Sequence, residues 1–232
     1  MDYSPLLSLF TAVFEIIAAL WIVTKKGSKS VIYTSSIILL LLAGYQILEV
    51  AVCTYGSTIM LSKIAFIVVT WLPPLGVLLI SYIYPKEQNK INFFSKLLFF
   101  AGLAMIIWIA VGNTFVTQTV CSIVYAQYTT PNPAYLIYSS YYWVGLLSMI
   151  LLSFHGFKRT KDKKRKYQLK MMGTGTIAFV LPSLIVAALG SNMKGALASV
   201  MCHFALFLAV FIVFLARYEN NDSSEKTKQF DS

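Results

Sequence analysis

The chain has 232 residues, 58% of them apolar and 12% charged, with a mean hydropathy of +0.72 and a formal net charge of +10. Soluble domains carry charge on about a quarter of their residues, so this balance excludes an ordinary soluble enzyme or binding module. The positive charge reads as membrane topology first, and no nucleic-acid partner is expected.

Seven long apolar stretches, at 5–24, 31–53, 58–84, 97–116, 135–157, 171–190 and 196–217, alternate with short polar joints. Each is close to the ~20 residues that cross ~30 Å of hydrocarbon as a helix. The expected fold is all-α: a polytopic, multi-pass membrane protein of seven transmembrane helices. A single domain spans 1–217, and a polar tail at 218–232 is expected to be disordered. The first stretch lacks a basic region before it and a small-residue cleavage site after it, so it reads as a retained helix. Of the 19 Lys and Arg residues, all but Lys63 and Lys194 fall on one side of the alternation. The positive-inside rule then places the N-terminus outside and the C-terminus in the cytoplasm of a cell membrane, plasma or inner.

In the first span Ser4, Ser8, Thr11 and Glu15 recur at spacings of four, three and four, which puts them on one helix face. Glu15 lies about ten residues in, near the midplane, where an ionised carboxylate costs roughly 2.5–3.5 kcal/mol or more. It must therefore face protein or water. The second span carries Tyr45, Gln46 and Glu49 in its outer third and ends at Cys53. The third contains Trp71-Leu72-Pro73-Pro74, which removes two backbone donors and predicts a kink or local opening.

The fourth span contributes Trp108 and Asn113. The outer connection after it, from Thr117 to Ala134, carries no charge and includes Cys121 and Pro131-Asn132-Pro133. It reads as a compact, turn-rich cap over the helix ends. Cys53 and Cys121 lie on the same face of the membrane; they form a disulfide or remain two free thiols, and spacing alone leaves both open. The fifth span brings Tyr138, Tyr142 and Trp143, either as cavity walls or as an interface belt. The basic run Lys158–Lys170 that follows faces anionic lipid head groups and offers a dock for a cytoplasmic signalling partner. Pro182 is a second kink or hinge candidate, in the sixth span. In the seventh, Ser199 and His203 stand four apart at the depth of Glu49, and Cys202 is a packing residue.

These positions define one candidate ligand site of Glu15, Tyr45, Gln46, Glu49, Trp71, Trp108, Asn113, Tyr142, Trp143 and His203, with Glu15 expected to pair with His203. Two acids, an imidazole and aromatic faces suit a small amphipathic or cationic ligand. No metal and no cofactor are expected. The histidines, His155 and His203, lie toward opposite ends of their spans, the seventh span has no Lys for a retinal Schiff base, and no Gly-x-Ser-x-Gly stretch occurs. The protein therefore reads as non-enzymatic.

The third span, Lys63-Ile64-Ala65-Phe66 through Trp71-Leu72-Pro73-Pro74 to Ser81-Tyr82-Ile83-Tyr84-Pro85, resembles the third helix of the seven-transmembrane N-terminal sensor region of bacterial histidine kinases. The segment from Tyr142 through Lys166-Tyr167-Gln168-Leu169 to Pro182-Ser183 is similar as well. The resemblance implies a receptor that senses a ligand at the outer face or in the membrane and passes a helix rearrangement inward. No kinase domain follows Arg217 in this sequence, so the expectation is a stand-alone sensor acting through a separate partner, or else a part of a longer protein. The alternatives are a small-solute transporter, which requires a polar route to the cytosol, and a scaffold or assembly subunit, which predicts no cavity.

Overall fold

A computed structural model describes residues 4–56, 58–84, 88–112, 115–123, 125–189 and 196–230, with backbone alone at 88–89, 187–189, 198 and 220–230. The elements are α1 (Leu6–Val23), α2 (Lys29–Thr54), α3 (Ile59–Thr70), α4 (Leu72–Ile83), α5 (Gln88–Val111), β1 (Gln118–Cys121), β2 (Ala126–Thr129), α6 (Ala134–Arg159), α7 (Lys163–Leu189), α8 (Leu197–His203) and α9 (Ala205–Phe230). Among the described residues six helical rods are long and apolar enough to cross a membrane: α1, α2, α3 with α4, α5, α6 and α7.

The helices close into a ring. α1 packs on α2, α2 on α3 and α4, α4 on α6, α6 on α7, α7 on α9, and α9 returns to α1. α5 lies against the outside of α3 and α4. The segregation of faces in α1 shows how the sequence places it. Leu6, Phe10, Val13, Ile17 and Leu20 are exposed, whereas Ser8, Thr11, Glu15, Ala18, Ala19 and Ile22 are buried against the bundle. Small residues let the backbones approach, and the Ser36 hydroxyl donates to the Ala19 carbonyl at 3.2 Å.

The third span breaks where the sequence predicts. α3 ends at Thr70, Trp71 is the joint, and Pro73 and Pro74 sit in the first turn of α4. A proline donates no backbone hydrogen bond, so carbonyls just upstream lose helical partners. One of them, Thr70 O, accepts the Tyr141 hydroxyl at 2.8 Å. α6 closes onto the break through Gly145, where a Cβ would overlap Pro73, and Met149 fills the space beside Gly76. α7, by contrast, runs unbroken through Pro182.

Two expectations are corrected. The outer connection is not merely turns: β1 and β2 form an antiparallel hairpin, with Gln118 opposite Thr129 and Cys121 opposite Ala126. The stretch at 196–217 divides at Phe204 into α8 and α9. Beyond residue 217 the backbone of α9 is described as far as Phe230. Glu219 gives a reason for the continuation. Its carboxylate accepts the Ser28 amide at 3.0 Å and the Gln168 amide at 2.6 Å, and lies 3.3 Å from the Lys164 ammonium. The helix is thereby tied to α7 and to the α1–α2 joint at the Lys-rich end.

Candidate functional site

The hairpin is held over the bundle at several points. Cys53 and Cys121 are bridged, with Cα atoms 5.7 Å apart, joining the end of α2 to β1. Ser62 on α3 and Thr119 share a hydrogen bond of 2.8 Å, Ser4 N–H donates to Ile123 O at 2.7 Å, and Ala126 N–H donates to the Ser199 hydroxyl at 3.1 Å. The alternation in β2 turns Ala126 and Tyr128 inward, where they pack with Phe66, Ile109, Phe115, Val116 and Ala134.

Beneath this lid lies a cavity of about 70 Å³ between α3, α6 and α8. Its aromatic wall comes from Phe66, Phe115, Tyr128, Tyr138, Tyr142 and Trp143, and its floor from Leu197, Met201 and Cys202. The rings hold one another edge to face: Phe66 stands 5.3 Å from Phe115, 5.1 Å from Tyr128 and 5.3 Å from Tyr138. Tyr142 stacks on Tyr138 at 6.0 Å. A wider, more polar vestibule of about 400 Å³, lined by Gln127, Asn132 and Leu136 among others, shares Tyr128, Thr130 and Tyr135 with it. A small aromatic space thus adjoins a larger, more polar one under the hairpin. No protein-family profile and no curated protein matches this chain.

The structure divides the residues that the sequence grouped. Tyr142 and Trp143 line the cavity, as does Tyr138. Glu15, Tyr45, Gln46, Glu49 and His203 do not; they lie behind its floor. Gln46 Nε2 donates to the carbonyl of Cys202, and Cys202 stands near both Glu15 and Glu49. Trp71 packs on Phe99 at 5.9 Å and lines a lateral groove, and Trp108 packs on Phe115 at 5.7 Å behind the cavity wall. Asn113 lies outside the described residues.

Glu15 and His203 do not pair. His203 Nδ1 donates to Ser199 O at 2.7 Å, and among the described residues neither Glu15 oxygen nor His203 Nε2 has a hydrogen-bond partner. Register explains why the acids are not level with one another. The contact of Ser36 with Ala19 sets Glu15 opposite roughly position 40 of α2, so Gln46 lies about 9 Å farther out along the helix at 1.5 Å per residue. Glu15 is 0% exposed, on the face it shares with Ser8 and Thr11, and Gln46 and Glu49 are 0% exposed as well.

Sequence reasoning missed Phe66, Val69, Phe115, Tyr128, Thr130, Tyr135, Ser139, Leu197, Met201 and Cys202 as lining residues. A signal for part of this set was present. Tyr135, Tyr138, Ser139 and Tyr142 recur at spacings of three, one and three, a single helix face of α6 that is aromatic over two turns.

Proposed function

We propose that this chain is a seven-span membrane receptor or sensor that takes up a small amphipathic, cationic ligand under its outer hairpin. The observation that carries the reading is the aromatic box of Phe66, Tyr128, Tyr138, Tyr142 and Trp143, opening through a polar vestibule. An ammonium head is attracted by such faces, and desolvation raises the gain to about 2 kcal/mol or more.

In this reading α8 and α9 together make the seventh span, the N-terminus lies outside and the C-terminus lies in the cytoplasm of a cell membrane. Two independent features support that orientation: the Lys and Arg residues gather at one end, and the Cys53–Cys121 bridge, which persists only in an oxidising compartment, joins elements at the other. Transport is less favoured, because the ring between the cavity and the Lys-rich end is filled by Leu39, Leu42, Ile80, Phe179, Leu208 and Ile212. The resemblance to histidine-kinase sensor regions supports a signalling output, with a cytoplasmic partner at Lys158–Lys170 and movement at Pro73, Pro74 and Pro182.

The test is thermal unfolding in detergent micelles with benzyltrimethylammonium and with its neutral tert-butyl isostere. The cation should stabilise the wild type at concentrations about 2- to 30-fold lower than the isostere, as expected for a cation–π gain of about 0.5–2 kcal/mol. Tyr142→Ala should abolish the difference. Equal or absent stabilisation of the wild type by the two compounds contradicts the assignment.

A further inference from the structure

Outside the ring, α5 and the α3–α4 break enclose a groove of about 640 Å³ lined by Trp71, Lys96, Phe99, Phe100 and Leu103. Lys96, Phe99, Phe100 and Leu103 follow one another at spacings of three, one and three, so they form a single stripe along α5. Trp71 closes one side of the stripe, against Phe99. Phe100 and Leu103 are exposed, so the groove opens toward the surroundings of the bundle and not into it.

Lys96 is the anomaly in this stripe. It lies within the apolar rod Lys90–Val111, and among the described residues no carboxylate or carbonyl reaches its ammonium. Lysines in membrane spans are rare and as a rule find a partner or reach the interface. Its position, eight residues into α5, is about 12 Å along the helix axis from the Lys-rich end. A long helical side chain leans toward its own N-terminus, which here is that same end, so the ammonium rises to the head-group level. The apolar stripe continues from it in the other direction, to the depth where acyl chains lie.

We propose that this groove is a binding site for one anionic phospholipid, with its phosphate on Lys96 and an acyl chain along Phe99, Phe100 and Leu103 against Trp71. The charge of Lys96 selects the head group, and the aromatic stripe holds the chain. The site is separate from the aromatic cavity and does not depend on what that cavity binds.

The experiment places the full chain in phosphatidylcholine vesicles containing a small fraction of either brominated-chain phosphatidylglycerol or brominated-chain phosphatidylcholine. Quenching assigned to Trp71 is the difference between wild type and Trp71→Phe. The brominated anionic lipid should quench Trp71 at a mole fraction about fivefold lower than the zwitterionic one, the preference expected of one Lys near a head group. Lys96→Gln should bring the two lipids together, whereas Lys90→Gln on the same helix should leave the preference intact. Equal quenching of wild type by both lipids overturns the site, as does a preference that survives Lys96→Gln.

Discussion

Removing the Tyr141 hydroxyl tests whether the broken third span is held shut by its neighbours. In the structure that hydroxyl donates to Thr70 O at 2.8 Å, filling a lone pair that the prolines of α4 leave without a helical donor. Tyr141→Phe orphans a buried carbonyl, a loss of about 1–3 kcal/mol in general, which membrane settings reduce toward about 1. The same oxygen also limits α5, since a Cβ on Gly102 would lie 2.8 Å from it and 3.7 Å from the ring carbon that bears it. Gly102→Ala alone is therefore overpacked and should cost about 1–3 kcal/mol. With the hydroxyl gone only the ordinary contact remains, and Ala is the better helix former by about 1 kcal/mol. The two changes should be strongly non-additive: Tyr141→Phe/Gly102→Ala should be no less stable than Tyr141→Phe. The assay is a double-mutant cycle of reversible unfolding in detergent or bicelles. Additive costs would refute the geometry of this contact, because they would mean that Gly102 does not meet the hydroxyl.

Further outcomes follow from the same packing. Gly145→Ala should destabilise the fold by about 2 kcal/mol or more, since its Cβ meets the rigid ring of Pro73, and a Tm shift within 1 °C would contradict that contact. Glu15→Leu should raise stability by about 1–3 kcal/mol by removing buried oxygens that no described donor reaches; reversible unfolding in detergent measures it, and a loss of stability would contradict the burial of that carboxyl. Glu219→Ala should cost about 2–4 kcal/mol, because Ser28 N–H, Gln168 and Lys164 all lose their acceptor, and increased hydrogen exchange at the start of α2 reports it.

Much of the scaffold was legible because its signals are local. The stripe of Ser8, Thr11 and Glu15 in α1 and the proline pair after Trp71 each follow from spacing or backbone chemistry within one turn or two, and the structure buries or breaks them accordingly. The site was only half legible. A helical period tells which residues share a face, not how far two helices slide along each other, and that slide decides that Glu15 and Gln46 stand at different depths. The hairpin was hidden for a related reason: Gln118–Cys121 and Ala126–Thr129 are too short to show an alternation above noise, and their pairing is reinforced by contacts distant in sequence, to Cys53, Ser62 and Ser199. Glu219 looked like one acid in a polar tail because its partners, Ser28 and Gln168, come from two other joints.

The central claim is that the box of aromatic rings under the hairpin receives an ammonium group, and fluorine NMR of 5-fluorotryptophan protein tests it most directly. Trp143 lines the box, whereas Trp21 and Trp71 lie away from it. On titration with tetramethylammonium the Trp143 resonance should shift saturably while those of Trp21 and Trp71 stay in place, and Tyr142→Ala should abolish the shift. A Trp143 resonance that does not move, or that moves in step with Trp21 and Trp71, contradicts the account.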